Sequence, residues 1–130
     1  MTTILLVEDN KNQRLLYEQE LRIEGYEIVT ATNGKEALEK VREQALDIII
    51  LDINIPNMDG IETMGRILSH NKGIPIIIHT AYSNYKDNFM SWAADAYIIK
   101  SSDLSELKDK IKEILTNKKL EHSKLSVAIS

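Results

Sequence analysis

Short runs of consecutive apolar residues alternate along this chain with longer stretches in which apolar positions recur every three or four residues. The runs are TILLV (3–7), YEIVTA (26–31), DIIIL (47–51), IPIIIHTA (74–81) and AYII (96–99). Each has the length of a strand and carries β-branched residues, so five strands are predicted. Pro75 suits the first residue of its strand. The longer stretches predict helices. Residues 12–24 set Leu15, Leu16, Leu21 and Ile23 among charges and stop at Gly25. Asn33-Gly34 opens a helix over 35–44 with Ala37, Leu38 and Val41 on one face. Residues 60–72 space Ile61, Met64, Ile67 and Leu68 helically, and a short helix is expected around 85–93. The last helix, 103–115, has Asp103 as its N-cap and a stripe of Leu104, Leu107, Ile111, Ile114 and Leu115.

Five rounds of strand then helix, with strands apolar on both sides, predict a parallel sheet covered on both faces. Right-handed crossovers make this an α/β, doubly wound, three-layer sandwich. Residues 1–117 form one domain in this reading. Residues 118–130 are read as a C-terminal tail or a truncated linker, as termini often are.

Composition changes little. The 130 residues carry a net charge of −4, with no basic footprint for nucleic acid. No apolar run reaches the roughly 20 residues that cross a bilayer. There is no cysteine, which excludes disulfides and thiolate metal sites and suits a reducing cytoplasm.

The candidate chemistry lies where the strands end. Open parallel sheets bind ligands beyond the carboxyl ends of their strands. There the first strand runs into Glu8-Asp9, the third into Asp52, the fourth ends in Thr80 and the fifth leads to Lys100. Three acids at one rim repel one another, and a divalent cation with Lys100 is the natural compensation. All-oxygen ligands suit Mg²⁺. Asp52 is then a candidate carboxylate nucleophile for a phosphoryl group, with Lys100 and Thr80 stabilising the transferring oxygens. His79, beside Thr80, is read as a packing or loop contact, and Trp92 as packing.

At this point the chain resembles the receiver domain of two-component response regulators. The resemblance covers about residues 3–116 and rests on LLVEDN (5–10), ATNGKEAL (31–38), LDINIPNMDG (51–60), HTA (79–81) and DAYIIK (95–100), in that order. It implies a flavodoxin-like sheet in the order 2-1-3-4-5. It implies that Asp52 accepts a phosphoryl group from a histidine kinase or phosphotransfer protein. It makes Asp9, Asp52 and the Asn54 backbone carbonyl ligands of Mg²⁺, with Glu8 acting through water. Lys100 would bind the phosphoryl group, and Thr80 and Tyr97 would form a switch pair that changes the choice of output partner. Pro56 and Gly60 match the turn after the acceptor, and Asn54 and Tyr82 flank the path of the hydrolytic water. The resemblance makes the chain a signalling protein, either a stand-alone receiver or one cut from a larger regulator.

Two departures stand out. Ser101 follows the lysine where the family usually has a proline joined by a cis bond. A cis bond before a non-proline residue costs about 2.5–4 kcal/mol, so a trans bond is expected. The segment 82–92 is short and rich in turn formers, so an irregular helix is expected there. Rival readings fit less well. Aspartyl phosphatases related to haloacid dehalogenases want a second Asp where this chain has Asn54. A pseudo-receiver would have no need of all the acids, Thr80 and Lys100. A flavodoxin-like cofactor carrier would need a phosphate-binding loop that the sequence lacks.

Overall fold

The computed structural model describes residues 1–54, 60–86, 88 and 93–129, with side chains through residue 120. Pro56, Asp59 and Trp92, and most of the helix expected over 85–93, lie outside the described residues. The chain falls into two compact units, Met1–Lys100 and Ser101–Ser130.

The first unit holds five strands: β1 (Thr3–Val7), β2 (Glu27–Ala31), β3 (Ile48–Leu51), β4 (Ile76–Thr80) and β5 (Ala96–Ile99). They form one parallel sheet in the order β2-β1-β3-β4-β5, as expected. The helices of the same unit include α1 (Lys11–Ile23), α2 (Gly34–Glu43) and α3 (Gly60–His70).

Side chains alternate across each strand, so each strand feeds two cores. On one face Leu5, Val7, Ile49, Leu51, Ile76 and Ile78 pack with Ala37, Leu38 and Val41 of α2 and Met64 and Ile67 of α3. The alternate residues Ile4, Leu6, Ile48, Ile50 and Ile77 are equally buried. On that side α1 lies against β1 and β2 and buries Tyr17 and Leu21. Each such side chain contributes roughly 1.5–3 kcal/mol by leaving water. The buried face of α1 is thus narrower than its apolar content suggested. Leu15, Leu16 and Ile23 stay 46%, 49% and 77% exposed.

Local chemistry fixes the helix ends. Asn10 caps α1 by accepting from the Gln13 N–H, and Gly25, at φ 96°, ends the turn that follows. Asn33 caps α2 by accepting from the Glu36 N–H. The Glu36 carboxylate reaches back to the N–H and hydroxyl of Thr32, close to a capping box. These bonds hold the Glu36 carboxyl below the usual carboxylate range. Two aspartates ahead of strands tie the lower edge of the sheet. Asp47 accepts from the Thr3 N–H at 2.8 Å and Asp95 from the Ile76 N–H at 2.8 Å.

The second unit is a helix, α4 (Ser105–Ile129). It begins two residues later than the sequence suggested. Asp103 lies outside it and accepts from the Ser105 N–H, while the Leu104 carbonyl takes the first helical bond. It also runs far past residue 115. Residues 118–129, read as tail or linker, continue the same helix. Among the described residues no helix is long and apolar enough to cross a membrane, and no peptide bond is cis. The Lys100–Ser101 bond is trans, as expected.

Gly60 opens α3 against the backbone of Ile53. A Cβ on Gly60 would meet the Ile53 Cα at 2.7 Å and its Cβ at 2.9 Å. The contact is with main chain, which cannot swing aside. Gly60→Ala is therefore expected to lower unfolding free energy by about 1–3 kcal/mol, measured by urea denaturation at equilibrium.

Candidate functional site

The register of the sheet brings the site together. Val7 pairs with Leu51 across β1 and β3, and Thr80 with Ile99 across β4 and β5. The ladders continue one residue further: the Asp52 N–H donates to the Val7 carbonyl at 3.2 Å and the Lys100 N–H to the Thr80 carbonyl at 2.7 Å. Glu8, Asp52 and Lys100 thus each stand one step beyond a strand, on the same rim.

Their side chains converge. The Lys100 Nζ lies 2.6 Å from Asp52 Oδ2 and 2.7 Å from Glu8 Oε1. Both acids are buried, Glu8 at 2% and Asp52 at 5% exposure. Asp52 Oδ1 also accepts from the Asn54 N–H at 3.0 Å, and Glu8 Oε2 from the Asn10 N–H at 3.2 Å. Asp9 points to solvent, yet Glu8, Asp9 and Asp52 each offer an oxygen within 4.8 Å of the others. Three carboxylates exceed the one ammonium by two formal charges, and every donor is a hard oxygen. Such a set fits a small divalent cation better than a soft metal.

Electrostatics follow the burial. Desolvation raises the Glu8 carboxyl above its ordinary value, and the Lys100 ammonium beside it offsets only part of that rise. For Lys100 burial works the other way, but the hydrogen bonds it donates to Asp52 and Glu8, with the negative charge of both, outweigh it and raise the ammonium above the usual lysine range. The lysine therefore stays charged between the two acids.

Thr80 is fully buried, and its hydroxyl accepts from the Tyr82 N–H at 3.4 Å. The Tyr97 ring is turned in at 9% exposure, and its hydroxyl donates to the Tyr82 carbonyl. One short segment thus links the two residues expected to act as a switch.

The sequence matches the response regulator receiver domain family over residues 4–112. The chain belongs to that family. Among solved structures it is similar to the response regulator TrrA of Thermotoga maritima in complex with Mg²⁺-BeF: 47% identity, TM-score 0.84, covering 88% of this chain and 99% of that one. It is also similar to a chain in the complex of histidine kinase ThkA with TrrA: 48% identity, TM-score 0.82, with the same coverage. A CheY-like receiver from Methanospirillum hungatei is 30% identical at a TM-score of 0.87, covering 93% of this chain and 98% of that one. Curated relatives are longer. The transcriptional regulatory protein ZraR of Klebsiella oxytoca is 39% identical over 92% of this chain, and ArlR of Staphylococcus saprophyticus 39% identical over 88%. The chain spans only 28% and 53% of those two proteins.

Glu8, Asp9, Asp52, Thr80 and Lys100 lie at the carboxyl ends of their strands, where the sequence placed them, while Tyr97 lies within β5. Two neighbours were not foreseen. Gln13, on α1, accepts from the Lys100 Nζ at 2.7 Å. Arg14 donates to the carbonyls of Glu8 at 2.9 Å and Asp9 at 3.3 Å, bracing the acidic loop from outside. The available signal was spacing. Gln13, Tyr17 and Leu21 are four apart, and the last two are the buried residues of α1, so Gln13 heads the buried stripe.

His79 is a packing residue, as expected. It is 3% exposed and meets the Tyr17 ring edge-on at 5.0 Å. Burial, with the nearby Lys100 charge, pushes its pKa from 6.5 down to about 4. The receiver therefore folds around a neutral imidazole. That contribution is whole above pH 6.5, is lost as pH falls from 6.5 to about 4, and changes no further below. His79→Phe should remove this part of the acid destabilisation, on the order of 3 kcal/mol in full. Urea midpoints of both proteins across that range measure the difference.

Proposed function

We propose that this receiver accepts a phosphoryl group on Asp52 from a histidine kinase or a phosphotransfer protein. The observation that carries the reading is the Asp52 carboxylate held between the Lys100 ammonium at 2.6 Å and a cluster of acids fit for a divalent cation. An Asp52 oxygen lone pair attacks phosphorus and forms the O–P bond. The P–N bond to the donor histidine breaks, and its electron pair stays on the imidazole nitrogen. Later a water attacks phosphorus and the O–P bond breaks, giving inorganic phosphate and the free carboxylate. The chain in this reading catalyses nothing beyond its own acceptance and loss of phosphate, and the cytoplasm is its setting.

TrrA, with 47% identity, is described in complex with Mg²⁺-BeF, and the donor set here suits the same ion. Asp9, Asp52 and the Asn54 carbonyl would hold it, with Glu8 acting through water. Bound there, Mg²⁺ supplies positive charge against the phosphoryl oxygens. Lys100 adds a second positive group that is already aimed at Asp52, at no cost in reorganisation. The Thr80 hydroxyl would donate to a phosphoryl oxygen and give up its present acceptance from Tyr82.

That exchange couples chemistry to signalling. Thr80 and Tyr97 both bond to the backbone of Tyr82, so drawing Thr80 towards the phosphoryl group changes what holds the Tyr97 ring. The new charge thereby biases a two-state element that an output protein or domain would read.

Incubation of the full chain with acetyl phosphate and Mg²⁺, followed by intact mass, tests the reading. A gain of one phosphoryl group is expected, absent in Asp52→Ala and abolished by EDTA. A gain that persists in Asp52→Ala, or none in the wild type, overturns it.

A further inference from the structure

Lys100 has a third partner that the acceptor chemistry leaves unexplained. An ammonium has three N–H donors. Oxygens of Glu8 at 2.7 Å, Asp52 at 2.6 Å and Gln13 at 2.7 Å surround this one. Two of those oxygens belong to carboxylates and the third to a neutral amide. Gln13 sits in the first turn of a capped and packed helix. Its backbone N–H donates to the Asn10 side chain at 3.0 Å, and one turn further along α1 Tyr17 is buried against His79.

We propose that Gln13 is a positioning residue for phosphoryl acceptance, its side-chain carbonyl fixing the Lys100 ammonium while that group changes partners. The inference rests on the reading of Asp52 as acceptor. When the Asp52 oxygen forms its bond to phosphorus, and the donor leaves with the electron pair of the bond that breaks, Asp52 gives up charge. The phosphoryl oxygens gain the claim on Lys100. One of the three hydrogen bonds must then be exchanged, and those to Glu8 and Gln13 remain. With Glu8 alone the ammonium would pivot about a single bond and be drawn towards that carboxylate. Gln13 supplies the second fixed point. Because its amide is neutral, it does so without cancelling the positive charge that the transferring group needs. Catalysis of phosphoryl transfer is almost wholly positioning and electrostatics, so a loosened ammonium costs rate.

Gln13→Met keeps the length of the side chain and removes the oxygen. Its phosphorylation by acetyl phosphate at saturating Mg²⁺ is expected to slow about tenfold, with the urea midpoint and the Mg²⁺ affinity unchanged. A second readout is independent of phosphate. The Lys100 ammonium should give a slowly exchanging ¹H–¹⁵N signal in the wild type, assigned by its absence in Lys100→Met, and that signal should broaden in Gln13→Met. A wild-type rate in Gln13→Met, or an unchanged ammonium signal, overturns this inference alone. A wild-type chain that takes up no phosphate overturns the acceptor reading and this inference with it.

Discussion

The Lys100 ammonium holds the rim together. Glu8 and Asp52 are carried out of β1 and β3, two neighbouring parallel strands, into positions almost closed to water. Two acids so placed would repel each other and suffer the cost of desolvation. The half-buried Lys100 ammonium between them makes the arrangement tolerable. It comes from β5, two strands away from β3, so the pairing depends on β4 setting the distance. The compensation stays incomplete because Asp9 adds a third carboxylate. That surplus of negative charge suits the rim to a small divalent cation.

The rest of the first unit serves this geometry. Strands buried on both faces cannot slide without moving apolar side chains from one core to the other. At the opposite end of the sheet, Asp47 and Asp95 bond to the first residues of neighbouring strands and hold the register there. The close approach of Gly60 to Ile53 lets α3 start directly against the residue that follows Asp52. A difference of an ångström in any of these would be felt at the Lys100–Asp52 contact, which is already at 2.6 Å.

Much of this was legible in the chain. The strands announce themselves as apolar runs, and β3 is four consecutive aliphatic residues followed by an acid. The start of α2 follows from Asn33-Gly34 ahead of an apolar face, while the Asn33 cap and the Glu36 bonds to Thr32 came only with the structure. The α1 helix was less legible. Of the apolar residues that marked it, the structure buries Leu21 but leaves Leu15, Leu16 and Ile23 exposed, and it buries Tyr17 as well. A helix shows the sequence only its own periodicity, and which stripe turns inward depends on the angle at which it crosses the sheet. For the same reason periodicity alone does not show that Gln13 turns towards Lys100. The extent of α4 was missed because its later turns lack the apolar stripe that marked its beginning.

The sequence by itself determined the alternation of strands and helices, the acids and lysine at the strand ends, and the resemblance that orders them on one rim. These are local properties: hydrophobic run length, capping chemistry, and the residue that follows each strand. The tertiary structure alone decided which oxygens share the Lys100 ammonium. It also decided that Thr80 and Tyr97 both hang on the backbone of Tyr82, and that His79 is held neutral against Tyr17. Each of these joins groups distant in sequence, and each depends on burial, which sets how strongly charges are felt and which hydrogen bonds must be made. No residue carries that information until the sheet has brought its neighbours to it.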